Sequence, residues 1–129
     1  MAAQTRIRAL RGATTVEQDD AAALYAATRE LLERLAILND FEPAQVVSAL
    51  FTVTPDLHSA FPAAAARELG WTDVPLLCAT EIGVPGALAQ CIRVLITLET
   101  ARDAPPPRHV YLRGARLLRP DLPATDYLP

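Results

Sequence analysis

The sequence predicts a single α/β (α+β) domain over residues 1–129, a mixed β-sheet with two main helices. Two observations predict it. Segments with a two-residue apolar period alternate with segments whose apolar residues recur at helical spacing, the pattern of a sheet and its cover drawn from one chain. At 129 residues, 51% of them hydrophobic, the chain is long enough to bury one core and too short to hold two comfortably.

Thr5 to Gly12 reads as the first strand, with Ile7, Ala9 and Arg11 on one face and Arg6, Arg8 and Leu10 on the other. A helix follows from Asp19 or Asp20, either of which can cap it, and its stripe of Leu24, Thr28, Leu31, Leu35 and Leu38 stops at Asn39. Thr14 and Glu17 also match a capping box, a common four-residue pattern. Glu42-Pro43 permits a helical turn, and Val46 to Val53, rich in apolar and β-branched residues, is the second strand, broken by Thr54-Pro55-Asp56. Pro62 fits the first position of a second helix through Ala63 to Leu69, with Gly70 as terminator and Arg67 near the C-terminus, where the helix dipole favours a cation. Val74 to Cys78, Cys91 to Leu98 and His109 to Leu112 complete the strands, with a turn region at Gly83 to Gly86. Pro105, Pro106 and Pro107 exclude regular structure before the last strand. The segment 120–129, proline-rich and poor in apolar residues, is expected to be a mobile tail unless a ligand orders it.

Val46 to Val53 and Cys91 to Leu98 are apolar on both sides, yet the helical residues are too few to cover two sheet faces. The second face is therefore expected to pack against other copies of the chain.

Composition narrows the function. No run approaches the roughly 18 uncharged apolar residues of a membrane span, and the N-terminus has no signal-peptide pattern, so a cytoplasmic protein with no membrane partner is expected. Cys78 and Cys91 make no disulfide framework, and His58 and His109 do not complete a metal spacing with them; reduced thiols and no metal are expected. A net charge of −3 argues against a nucleic-acid partner but not against a small anion, for which the local field matters more than the total.

All twelve basic residues are arginine, beside abundant alanine, so only individual positions inform. Arg93 lies within the apolar run Cys91 to Leu98, on the face shared with Cys91, Leu95 and Thr97. A guanidinium there needs an anion, either an internal partner such as Glu81 or Glu99 or a ligand. Arg11 is a surface strand-end arginine or a second ligand cation, and Arg67 a solvated helix residue or a third. Glu81 follows the third strand at a position that often faces ligand crevices, and equally fits a solvated loop. Cys78 and Tyr111 fit both core roles and polar contacts. The set offers cations for carboxylates and groups for a hydroxyl, without an evident nucleophile and base. It suits a reaction that needs only shape and charge.

The segments Arg8 to Glu17, Thr54 to Ala63, Cys91-Ile92-Arg93-Val94 and Arg108 to Leu112, followed by Leu118-Arg119-Pro120-Asp121, closely resemble the small monofunctional bacterial chorismate mutases. The blocks keep their order and intervals from about Arg6 to Asp121. That resemblance implies a homotrimer with a pseudo-α/β-barrel core, active sites between neighbouring subunits, and conversion of chorismate to prephenate by a Claisen rearrangement without cofactor or metal. It further implies that Arg93 faces the ether oxygen and that Arg11 and Tyr111 hold the enolpyruvyl carboxylate. Glu81 and Cys78 would meet the ring hydroxyl and its developing positive surroundings. Phe61, Ala63 and Arg67 match positions contributed by the adjacent subunit, and Leu118 and Arg119 the start of a closing tail. Ala64 stands where a lysine is expected, Leu77 where threonine is usual, and one residue is missing before Trp71. Two rival readings are a non-catalytic trimer that sequesters a small dicarboxylate and a trimeric imine deaminase of similar shape.

Overall fold

The computed structural model describes residues 4–121; the rest of the expected tail, 122–129, lies outside the described residues. In chain order the elements are β1 (Thr5–Thr15), α1 (Ala21–Asn39), a 3-10 turn (Pro43–Gln45), β2 (Val46–Val53), α2 (Ala63–Glu68), β3 (Leu76–Thr80), β4 (Cys91–Ala101), β5 (Val110–Tyr111) and a closing 3-10 segment (Arg113–Leu118). The strands form one mixed sheet in the order β3-β2-β4-β1-β5. β4 runs antiparallel to both β1 and β2, whereas β2 with β3 and β1 with β5 are parallel.

Partnership sets the strand lengths. β1 and β4 pair from Thr5 with Ala101 to Thr15 with Cys91, so each extends three residues beyond the end its own pattern predicts. Thr14 therefore belongs to a strand and not to a helix cap; Asp20 caps α1 by accepting the Ala23 N–H at 2.8 Å. β3 begins two residues later than expected because Pro75 has no N–H to give the ladder. Its carbonyl accepts the Ala49 N–H, and regular pairing starts at Leu76. β5 is shorter than its apolar run, only Val110 and Tyr111 pairing with Gly12 and Ala13.

Both helices cover the same face. Leu31, Leu32 and Leu35 of α1 and Ala63 and Ala66 of α2 pack with Leu10, Ala49, Phe51, Val94, Ile96 and Leu98 of the sheet. Phe41 and Trp71 close one side as an edge-to-face pair with centroids 6.0 Å apart. Thr28, buried in the α1 stripe, satisfies its hydroxyl by donating to the Leu24 carbonyl at 2.8 Å. Gly12 permits the close approach of α1 to β1: a Cβ there would lie 2.8 Å from Leu35 Cδ1 and 3.1 Å from Leu31 Cδ1.

The opposite face carries neither α1 nor α2, only the closing 3-10 segment at one end, over Ala13 and Cys91. Ile7 is 58% exposed, Leu95 44% and Leu77 66%, on three different strands. This agrees with the expectation from sequence that the helices are too few to cover both faces.

Two predictions follow from the core. Thr14 is fully buried and its hydroxyl has no hydrogen-bond partner among the described residues. Thr14→Val removes that stranded group at nearly constant shape and is expected to raise unfolding stability by about 1 kcal/mol; an unchanged or lower urea midpoint would show that the hydroxyl is satisfied. Cys91, 1% exposed at the start of β4, has its thiol pushed up to about 11 by burial. The thiolate is the reactive form. Iodoacetamide at pH 8 is therefore expected to leave Cys91 unmodified in the folded protein while alkylating it in urea, as read by peptide mass spectrometry.

Candidate active site

The ladder registers place the candidate residues in rows across the uncovered face. Ala13, Arg93, Thr52 and Ala79 form one row from β1 to β3, and Arg11, Leu95, Leu50 and Leu77 the next. Arg11 and Arg93 thus sit on adjacent strands in adjacent rows. Together with Gly12, Leu50, Thr52, Glu81, Val94, Leu95 and Tyr111 they line a cleft of about 190 Å³. A larger hollow, about 550 Å³, lies along α1, but its Arg29 is already paired with Glu68. Chemistry, not volume, singles out the outer cleft.

Glu81 follows β3 and continues its pairing, donating its N–H to the Val53 carbonyl at 2.8 Å. This directs its side chain over β2. Its Oε1 accepts the Thr52 hydroxyl at 2.7 Å and lies 3.2 Å from Arg93 Nε. The side chains are 44% exposed at Arg93 and 23% at Glu81. A pair this open to water adds little to stability. What it does is fix direction: Arg93 is anchored through Nε, with the Cys91 thiol beside its guanidinium and the rest of the side chain lining the cleft. The internal partner named from sequence and a place in the cleft lining therefore coexist at one residue.

The start of β4 is held by the segment after β2. Thr54 Oγ1 accepts the Cys91 N–H at 3.0 Å, Asp56 accepts the Gln90 N–H at 2.9 Å, and the Thr54 N–H donates to the Cys91 carbonyl. This Thr-Pro-Asp turn locks the strand two residues before Arg93.

At the other wall, Tyr111 of β5 is buried against Ala13, Cys91, Ala115 and the half-buried Leu118. Arg119 pairs twofold with Asp121, at 3.1 and 2.9 Å, and that contact raises its pKa and lowers the carboxyl's. The Arg11 N–H donates to His109 Nδ1 at 2.9 Å, which requires that nitrogen to be unprotonated. Burial first, then the nearby Arg11 and Arg119 charges, lower the His109 pKa, in keeping with a neutral ring.

The other sequence candidates lie elsewhere in the chain. Cys78 pairs with Phe51 in the ladder and so turns to the helix-covered side, where it lines a second hollow of about 480 Å³ with Phe61, His58, Ser59 and Thr80. Cys78 and Glu81, expected to act together, thus face different hollows of one chain. Phe61 is 72% exposed at the rim of that second hollow. Ala63 is buried in the first turn of α2, and Arg67 is exposed in the last. Two polar side chains that contact the cleft's arginines or glutamate were not site candidates in the sequence. Thr52 had only strand alternation to reveal its face, and His109 had no partner at a diagnostic spacing.

Among the described residues no helix is long and apolar enough to cross a membrane, and no group of three or more His, Cys, Asp or Glu side chains could hold a metal ion. Residues 7–122 match the family model for chorismate mutase type I. The chorismate mutase AroH of Bacillus subtilis (strain 168) is 48% identical over 120 residues, 92% of this chain and 94% of that protein. The chorismate mutase AroH of Thermus thermophilus is 50% identical over 117 residues, 90% and 96% of the two chains. A solved chorismate mutase from Clostridium thermocellum superposes with a TM-score of 0.82 at 47% identity, covering 85% of this chain and 98% of that one. The five-stranded mixed sheet, its cleft of arginines and an agreement that spans nearly the whole chain lead to one assignment: this chain belongs to the type I chorismate mutase family of isomerases.

Proposed function

We propose that the outer-face cleft is the active site in which chorismate rearranges to prephenate, completed by a neighbouring copy in a homotrimer. The observation that carries this reading is Arg93, a cation on a central strand, anchored through Nε to Glu81 and lining the cleft. The rearrangement breaks an ether C–O bond as a C–C bond forms within one molecule. No atoms or electrons are exchanged with a second reactant, so confinement in a chair-like conformer and matched charge suffice. Negative charge grows on the ether oxygen as the bond opens. A fixed guanidinium there stabilises the transition state more than the ground state.

Arg93 meets that oxygen. Arg11 and Tyr111 take the enolpyruvyl carboxylate, and Glu81 the ring hydroxyl. Phe61, Ala63, Arg67 and Cys78 act from the adjacent subunit, the thiol meeting the developing positive ring. This division agrees with the second hollow, which lies apart from the first within one chain. The apolar outer face, to which Leu77 adds, supplies the surface that association buries. Leu118 and Arg119, beside Tyr111, start the segment that closes over the ligand. Ala64 leaves the mouth without the lysine of the family pattern, which weakens substrate capture. The chain acts as one catalytic domain in the cytoplasm, a compartment suited to the free thiols Cys78 and Cys91.

The test is direct. Purified protein without added metal or cofactor is expected to consume chorismate and yield prephenate, and Arg93→Ala to lower kcat by at least roughly 10²-fold with the oligomer intact, the scale of one lost oxyanion donor. Near-normal turnover in that variant would return Arg93 to a structural role, and chorismate bound but unchanged by the parent protein would favour a sequestering trimer. Sharing between subunits has its own signature. Arg93→Ala and Arg67→Ala, each impaired alone, are expected to recover about a quarter of parental turnover when unfolded and refolded together, since each mixed trimer regains one intact site. Recovery at the level of the separate variants would place Arg67 and Arg93 in the same subunit's site.

A further inference from the structure

We infer that Thr52 is a positioning residue for Glu81, setting which carboxylate oxygen the ligand meets. The inference rests on the reading of the outer cleft as the active site. Thr52 stands on β2 opposite Arg93 of β4, in the row that crosses the cleft floor. Its hydroxyl donates to Glu81 Oε1 at 2.7 Å, the same oxygen that lies 3.2 Å from Arg93 Nε. Both fixed contacts converge on Oε1, so Oε2 is the oxygen left for a substrate hydroxyl.

The geometry needs the hydroxyl. Glu81 lies just past the last residue of β3, where its backbone N–H donates to the Val53 carbonyl of β2. A carboxylate on such a terminus, held by Arg93 alone, can pivot about Nε and offer either oxygen. A second donor on a separate strand removes that rotation, and a sheet strand is a stiffer mount than a loop. The other charged or titratable groups lining the cleft are Arg11 and Tyr111, and Cys91, buried just behind Arg93, also feels the Glu81 charge.

Thr52→Val keeps the shape and deletes the donor. It is expected to lower kcat/KM about tenfold, most of it in kcat, the scale of one hydrogen bond to a charged group. Thr52→Ser is expected to restore kcat. On a Glu81→Gln background, Thr52→Val is expected to add little further loss. The outcomes separate cleanly. If Glu81→Gln retains full turnover, the reading of the cleft fails and this inference with it. If Glu81→Gln is impaired while Thr52→Val matches the parent in kcat and KM, Thr52 alone is reassigned to packing. Equal losses from Thr52→Val with and without Glu81 would likewise overturn it. Should Thr52→Val fold poorly, Thr52→Ala and Thr52→Ser carry the same comparison, with alanine slow and serine near parental.

Discussion

A guanidinium on the central strand of a sheet is tolerable only where one face stays open and an anion is held beside it. Both conditions meet at Arg93. β4 is flanked by β1 and β2, its even-numbered residues from Ile92 to Leu98 fill the core, and the alternation forces Arg93 to the other side. Glu81 is brought to it by the end of β3, across the intervening β2. Moving both helices to that face, or sliding β3 by one residue, would bury the cation or strip its partner.

The same one-sidedness accounts for the division of the candidate residues. A strand places neighbours on opposite faces, so a short chain with one sheet cannot gather Cys78, Phe61 and Glu81 into one hollow. It can present two incomplete surfaces, one polar and cationic, one rimmed by an exposed phenylalanine. Assembly of copies is the economical way to bring such surfaces together.

Much of the architecture was legible because it follows local rules. β2 occupies the very residues its β-branched run marks, Asp20 and Asn39 bound α1, and the polar and apolar faces of β4 fall as the two-residue period requires. Where reading failed, the missing information was non-local. The extra length of β1 and β4 exists only because each is the other's partner, and Pro75 delays β3 through a hydrogen bond it cannot donate. The face of Cys78 depends on pairing with Phe51, and the contact of Thr52 with Glu81 on the parallel register of β2 with β3. Arg93, Glu81, Arg11 and Tyr111 were nameable from chemistry and family likeness; their meeting in one cleft was not readable from spacing.

β5 contributes two residues to the sheet, whereas β1 and β4 are tied together along eleven. Mechanical stiffness is accordingly graded across the cleft: the floor bearing Arg93 belongs to the best-braced part of the fold, the wall bearing Tyr111 to the least. For the site proposed above, such a gradient leaves the wall free to flex as small molecules come and go while the cation on the floor stays where it is.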